Sequence, residues 1–235
     1  MALSQILGPV LMLTMVNSYS AAEVSNVAQS ATVNFPGLGT VSVKALEPEG
    51  HLPQIVITER SAGRQLLLTD VGTSDPEGRD SYVIHHDWCA GCPRVRFRVQ
   101  NVTGMPSPLI LAVAIRPGGS DCRYAATIIG AVNGQLKVLT PDQLWSNAEG
   151  GFYIGDLGRR RGYGLVRWNF VWGDEAHYQP HRYEVSIFRF DAAESRFKLV
   201  QTTTSHRKYR TGEVWLAEMG LNCRNVLRDF HDLGC

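Results

Sequence analysis

Apolar residues in this chain come in short runs that alternate with polar ones, and turn-forming residues separate the runs. Alternation with a period of two is typical of half-buried β-strands. The runs fall into three groups of four. They cover residues 40–43, 55–58, 65–68 and 82–84; then 95–99, 109–115, 124–129 and 135–139; and then 151–154, 165–172, 182–190 and 197–200.

The groups follow one another at a period of about 55 residues, which is typical of a repeated unit of four short strands. We therefore expect a mainly β fold, either propeller-like or built of stacked meanders. Asn133-Gly134 lies between two strand runs and predicts a tight hairpin. Residues 140–145 predict one helical turn, with Thr140 as its cap and Pro141 at its first position.

Near the C-terminus the apolar period changes from two to that of a helix. Six residues fall on one helical face: Leu216, Met219, Cys223, Val226, Leu227 and Phe230. They predict an amphipathic helix over residues 213–230, with Gly220 as a point of division. The expected organisation is a signal peptide (1–22), a flexible lead-in (23–34), a β-repeat domain (35–210) and a C-terminal helix packed on it (211–235).

The first 22 residues contain no charged side chain. Their apolar centre, residues 6–16, is too short for a membrane span but suits a secretory signal, with the small residues Ser18, Ser20 and Ala22 near a cleavage point. A buried N-terminal helix is the alternative, and Gly8-Pro9 argues against it. No internal segment reaches the roughly 18 apolar residues of a membrane span. The pattern predicts a periplasmic or secreted protein.

The five cysteines are consistent with export, because disulfides persist in oxidising compartments. Cys89 and Cys92 are spaced for a local bridge, and Cys223 and Cys235 for one that holds the C-terminus. A Cys92–Cys122 bridge is equally allowed by the sequence. Trp88-Cys89-Ala-Gly-Cys92 resembles a thioredoxin active site, but the alternating run that follows predicts a strand instead of the helix that lowers a thiol pKa. A structural disulfide is the expected role.

Other short segments contain candidate metal ligands and candidate catalytic residues. His85 and His86 with the cysteine pair, and His177 and His181, supply ligand types for zinc. Asp174-Glu175 beside His177 suggests a general acid and base, with Ser186 or Ser205 as nucleophile. No Gly-x-Ser-x-Gly element surrounds either serine. We keep a metal-dependent hydrolase as the alternative and expect neither metal nor cofactor.

Aromatic and arginine side chains are concentrated between residues 159 and 183. Trp168, Phe170 and Trp172 alternate along a predicted strand and are expected in the core. Tyrosine and arginine dominate the energetics of protein interfaces. The expected recognition residues are Arg159, Arg160, Arg161, Asp174, His177, Tyr178, His181 and Arg182.

Gly155-Asp156-Leu157, followed by the apolar run from Leu165 to Trp168, resembles the FG-GAP or VCBS type of propeller repeat. Residues 168–183 also resemble an uncharacterised group of bacterial exported proteins. The family's loop binds calcium through several oxygen ligands, whereas three arginines follow Asp156 here, so the loop is a degenerate one and calcium is not expected. The resemblance implies an adhesion or inhibitory role outside the cytoplasm.

Charge is almost balanced, with 23 Lys and Arg against 22 Asp and Glu, which gives no electrostatic footprint for nucleic acid. Together these patterns predict a non-catalytic, exported protein-binding domain of the inhibitor or immunity class, whose partner is another exported enzyme or toxin.

Overall fold

The computed structural model describes residues 27–47, 53–60, 63–68, 94–102, 105, 107–116, 123–140, 144–147, 149–158, 162–176 and 178–233. Within them the chain forms three antiparallel sheets, and the prediction of a mainly β fold is confirmed. The first contains β1 (Val27–Phe35), β2 (Gly39–Leu46), β3 (Gln54–Glu59) and β4 (Gln65–Leu68). The second contains β5 (Arg94–Gln100), β6 (Leu109–Arg116), β7 (Arg123–Val132), β8 (Gln135–Val138) and β9 (Leu144–Asn147). The third contains β10 (Gly151–Asp156), β11 (Tyr163–Val171), β12 (Arg182–Asp191) and β13 (Arg196–Thr204).

Each sheet is a meander whose strands follow chain order, except that β9 returns to pair with β7 beyond the end of β8. The predicted Asn133-Gly134 hairpin is confirmed, because Val132 pairs with Gln135 and both turn residues have positive φ, 51° and 69°. Whether the three sheets are copies of one unit stays a prediction.

The sheets share two hydrophobic layers. One lies between the first and second sheets, and another between the second and third. Strand β6 has an unbroken apolar run because both of its faces are buried. Leu111 and Val113 enter one layer, and Ala112 and Ala114 enter the other. A strand buried on both faces has no need of polar alternation.

The outer faces of the stack differ. The outward side of the first sheet carries Thr32, Ser42 and Lys44 and is solvated. The outward side of the third sheet is apolar and packs against the helix α1 (Gly212–Glu218), which contributes the buried Trp215 and Leu216. Both ends of the stack are thus compatible with water.

The amphipathic helix predicted over residues 213–230 forms as two separate elements, and the predicted division at Gly220 is confirmed. α1 ends at Glu218, and a separate 3₁₀ helix follows at Val226–Leu233. The break occurs at Gly220, whose φ is +72°, and the amides of Gly220 and Leu221 bond back to the carbonyls of Ala217 and Leu216. This is a Schellman motif, which terminates a helix. The six apolar residues predicted for this segment are nevertheless buried or half-buried.

Three further predictions need correction. Residues 27–34, expected as a flexible lead-in, form most of β1, because their alternating side chains pair with β2. The first sheet therefore begins one strand earlier than predicted, and the run at 82–84 lies outside the described residues. Leu144 and Trp145, expected in a helical turn, belong to strand β9, since their backbone pairs with Ala126 and Ala125 of β7.

Polar side chains form hydrogen bonds between the first strands of neighbouring sheets. The amide of Gln29 on β1 donates to the Phe97 carbonyl at 2.8 Å and accepts from the Phe97 N–H at 2.9 Å. Gln100 on β5 donates to the Ile154 carbonyl on β10 at 2.8 Å. Asn225 accepts from the Phe152 N–H and donates to a neighbouring carbonyl of the same segment. The first strands of the three sheets are thereby linked to one another.

Candidate recognition surface

The loop between β11 and β12, described at residues 172–176 and 178–180, carries two exposed aromatic side chains. Tyr178 is 87% exposed and Trp172 is 49% exposed. The prediction that Trp172 lies in the core is wrong, although Trp168 and Phe170 are buried as predicted. Strand β11 ends at Val171, so Trp172 leaves the sheet, and its ring instead packs edge-on against Phe170 at 4.5 Å.

His181 was expected at the recognition surface, but it is only 1% exposed, and this prediction is wrong. Its ring lies 4.6 Å from that of Phe170 and 6.3 Å from that of Trp172. The backbone explains the burial: His181 forms an isolated antiparallel bridge with Tyr209, with N–H to carbonyl distances of 2.9 and 2.7 Å. His181 thus supports Trp172 from beneath.

Internal contacts give the loop a defined shape. The Gln179 amide bonds to the Ala176 carbonyl at 2.8 Å, and the Ala176 amide bonds to the Gln179 side chain at 3.0 Å. Glu175 forms an ion pair with Lys208, and this contact holds the pKa of the Glu175 carboxyl below its ordinary value. The loop is therefore held by hydrogen bonds within it and by an ion pair to Lys208 outside it, so that binding would cost less conformational entropy.

Strand β9 holds the start of the loop. Strand β10 pairs with β11 only as far as Trp168, and polar side chains of β9 take over beyond that point. Ser146 donates to the Trp168 carbonyl at 3.1 Å. The Asn147 side chain donates to the Phe170 carbonyl at 2.9 Å and accepts from the Phe170 N–H at 3.2 Å. The end of β11 is thereby fixed below Trp172.

Tyr209 connects the loop to α1. Its backbone pairs with His181, and its hydroxyl donates to Glu218 at 2.7 Å. Arg207 also pairs with Glu218 and lies over the Tyr209 ring at 5.1 Å. The hydrogen bond from Tyr209, with Arg207 beside it, lowers the pKa of the Glu218 carboxyl.

This cluster predicts a pH-dependent contribution to stability. Because the folded-state pKa of Glu218 is depressed, its contribution is present above the ordinary glutamate pKa of about 4.3 and is lost as pH falls through the folded-state value. Urea unfolding at a series of pH values should show wild type more stable than Glu218→Gln at pH 7, with the difference disappearing on acidification. Tyr209→Phe should weaken the same dependence. A difference that stays constant down to pH 3 would contradict this assignment.

The other predicted residues are distributed as follows. Asp174 and Arg182 are exposed at the same end of the third sheet as Trp172 and Tyr178. Cys223 is half-buried against the layer under α1. Outside the described residues lie Arg159, Arg160, Arg161, His177, His85, His86, Cys89, Cys92 and Cys235, so the arginine turn, the disulfides and the alternative zinc site stay predictions. In the described part of the chain, no three His, Cys, Asp or Glu side chains come together as a metal site.

Sequence reasoning missed Trp172 as a surface residue. The signal available was Gly173-Asp174, a turn pair that places Trp172 at the strand's end, where alternation no longer decides burial.

Comparison of the chain with protein families, with curated proteins and with solved structures finds no match. Among the helical residues that the structure describes, none form a helix long and apolar enough to cross a membrane.

Proposed function

We propose that this protein is an exported, non-catalytic protein-binding domain of the inhibitor or immunity class. Its binding surface is the β11–β12 loop with the adjacent strand ends. The observation that carries the proposal is the presence of two exposed aromatic rings, those of Trp172 and Tyr178, on a loop held by its own hydrogen bonds. Asp174 and Arg182 add charged groups of both signs at the rim.

The energetics favour protein recognition at this surface. Tryptophan, tyrosine and arginine are enriched among interface residues that cost about 2 kcal/mol or more on truncation. Large rigid rings bury much area with few rotatable bonds, and a loop that is already ordered loses little further entropy on binding. Single exposed apolar residues are common on protein surfaces. Two aromatic rings on one supported loop are a stronger indication.

The rest of the proposal concerns architecture and location. We take the three meander sheets as copies of the repeat expected from the sequence, arranged like neighbouring propeller blades. A polar face on the first sheet and α1 on the third are consistent with a short stack, because terminal repeats need outer faces that tolerate water. Export rests on the uncharged apolar segment at residues 1–22 and on the cysteine content.

The test is to identify the partner through the loop itself. A photo-crosslinking amino acid at position 178 should capture a defined protein from the periplasm or medium of the native cells. Once the partner is purified, Trp172→Ala and Tyr178→Ala should each weaken binding by roughly 30-fold or more, the effect expected at interface hot spots. Melting temperature should change little in Tyr178→Ala, because that side chain is almost fully exposed.

Leu199→Ala is the matched control, since Leu199 is 56% exposed but lies on β13, away from the loop. It should bind as tightly as wild type. Arg160→Ala tests the predicted arginine turn independently of the aromatic pair. Unchanged affinity in the Trp172→Ala, Tyr178→Ala double variant would refute this surface as the binding site.

A further inference from the structure

A cavity of about 300 Å³ lies between the first and second sheets. It is located beside the edge strands β4 and β8, whereas the β11–β12 loop belongs to the third sheet. Small-molecule sites cover a range of about 300–1,000 Å³, so this volume suits a single small ring. The lining residues come from the end of β3, the β3–β4 hairpin, β4 and β8: Glu59, Arg64, Gln65, Leu66, Gln135 and Leu136.

An ion pair with a buried carboxylate forms one wall of the cavity. Glu59 is only 6% exposed, and Arg64 contacts its Oε2 atom through Nε at 3.0 Å and Nη2 at 2.8 Å. The Glu59 N–H also donates to the Arg64 carbonyl at 2.9 Å, which holds the two residues together. The Arg64 side chain is 55% exposed and keeps surface for a ligand. Because the two charges are opposite and adjacent, this wall favours a ligand without net charge.

Two glutamine amides supply further hydrogen-bonding groups to the cavity. Gln135 is exposed at the start of β8, so its amide is open to a ligand. Gln65 begins β4, and its amide makes only a long contact, 3.4 Å, with the Thr58 hydroxyl. An amide group donates through its nitrogen and accepts through its oxygen. A ligand in this cavity therefore meets donors and acceptors together.

Two leucines supply the apolar part of the lining. Leu66 and Leu136 are half-buried and pack at the margin of the layer between the first and second sheets. Each therefore keeps part of its apolar surface toward the cavity. The site thus combines an apolar floor with polar walls.

These features narrow the class of ligand. A purely apolar ligand would cover the amides without giving them hydrogen bonds, which costs free energy. A hydroxyl group both donates and accepts, so it matches an amide. We propose that this cavity binds a small uncharged polyol of the size of one sugar ring. Its hydroxyl groups bond to the two glutamine amides and Arg64, and its C–H groups lie against the two leucines.

Titration of the isotope-labelled protein with glucose, N-acetylglucosamine and myo-inositol, followed by NMR, tests the proposal. At least one probe should shift the side-chain amide signals of Gln65 and Gln135 saturably, with a Kd of about 10 mM or less. Gln135→Ala should weaken that binding by about fivefold or more, because it removes one or two hydrogen bonds. Gln65→Ala should act in the same direction, and it decides the matter if Gln135→Ala does not fold.

Gln201→Ala is the matched control, since Gln201 is also exposed on an edge strand but lies on β13 of the third sheet. It should leave the Kd unchanged. Glucuronate, a sugar ring with a carboxylate, should bind more weakly than the uncharged probes, and tighter binding would overturn the uncharged class. Saturable binding by none of the three probes overturns the proposal, as does equal affinity in wild type and the folded glutamine variants. Failure of partner capture through the β11–β12 loop leaves this site unaffected.

Discussion

Replacing Trp168 with alanine is expected to lower the free energy of unfolding by about 3–5 kcal/mol, the usual cost of removing a large buried aromatic side chain. Trp168 is fully buried in the layer between the third sheet and α1. The α1 backbone rests directly on it: a Cβ added to Gly212 would lie 2.3 Å from the indole Cδ1. The neighbouring helix cannot move in to fill the space without losing its own packing on Tyr183.

Chemical denaturation monitored by circular dichroism measures this loss. Trp172→Ala is the matched control, four residues along the same chain segment, and should cost only about 1 kcal/mol because half of its surface is exposed. Trp168→Phe should cost much less than Trp168→Ala: it keeps a ring and removes an indole N–H with no hydrogen-bond partner among the described residues. Equal losses in Trp168→Ala and Trp172→Ala would contradict the assigned burial.

Asn147→Ala is expected to destabilise the protein by about 2–4 kcal/mol, because it leaves two buried backbone groups of Phe170 without their hydrogen bonds. The substitution deletes few apolar contacts, so the loss comes from the unsatisfied N–H and carbonyl. Asn147→Asp should lose at least as much at pH 7, because it places a buried carboxylate against the Phe170 carbonyl that the Asn147 amide donates to.

Amide hydrogen exchange at Phe170 is the specific measurement. The Phe170 N–H should exchange faster in Asn147→Ala, while amides paired between β5 and β6 keep their relative protection. Asn34→Ala is the control, because Asn34 is exposed on β1 and should change stability by no more than about 0.5 kcal/mol. Unaltered exchange at Phe170 would show that β9 does not hold the end of β11.

These two positions show how the core supports the surface. Trp168 and Phe170 point to the same layer, and Phe170 is the ring on which Trp172 packs. Asn147 fixes the Phe170 backbone from the second sheet, and His181 lies below Trp172. A partner binding at Trp172 would therefore meet a side chain positioned by two sheets.

The C-terminal segment illustrates what periodicity can and cannot predict. Leu216, Val226 and Phe230 are buried as the helical pattern required, because burial depends on apolar character. The continuous helix does not form, because Gly220 adopts the left-handed conformation that completes a Schellman motif. The pattern thus identifies the buried face, while one residue with a special backbone conformation sets the helix boundary.

At the candidate site, too, the sequence predicted the exposure of some residues correctly and of others wrongly. Tyr178 and Arg182 were predicted at the surface and are exposed, since a polar loop after a strand stays in solvent. Trp172 was predicted to be buried but is exposed, whereas His181 was predicted at the surface but is buried. Their burial depends on where β11 ends and on a backbone bridge from His181 to Tyr209, 28 positions later. Local spacing contains no information about a partner so distant in the chain.

The sequence by itself determined the class of fold and the location of most strands, because alternation along a strand is a local property that each segment carries alone. It also determined the Asn133-Gly134 turn, since those residues favour positive φ. Only the tertiary structure decided which faces of β6 and β11 meet which layer and which tryptophan is exposed. Those outcomes depend on contacts between segments far apart in the chain, and such contacts form only when the sheets stack.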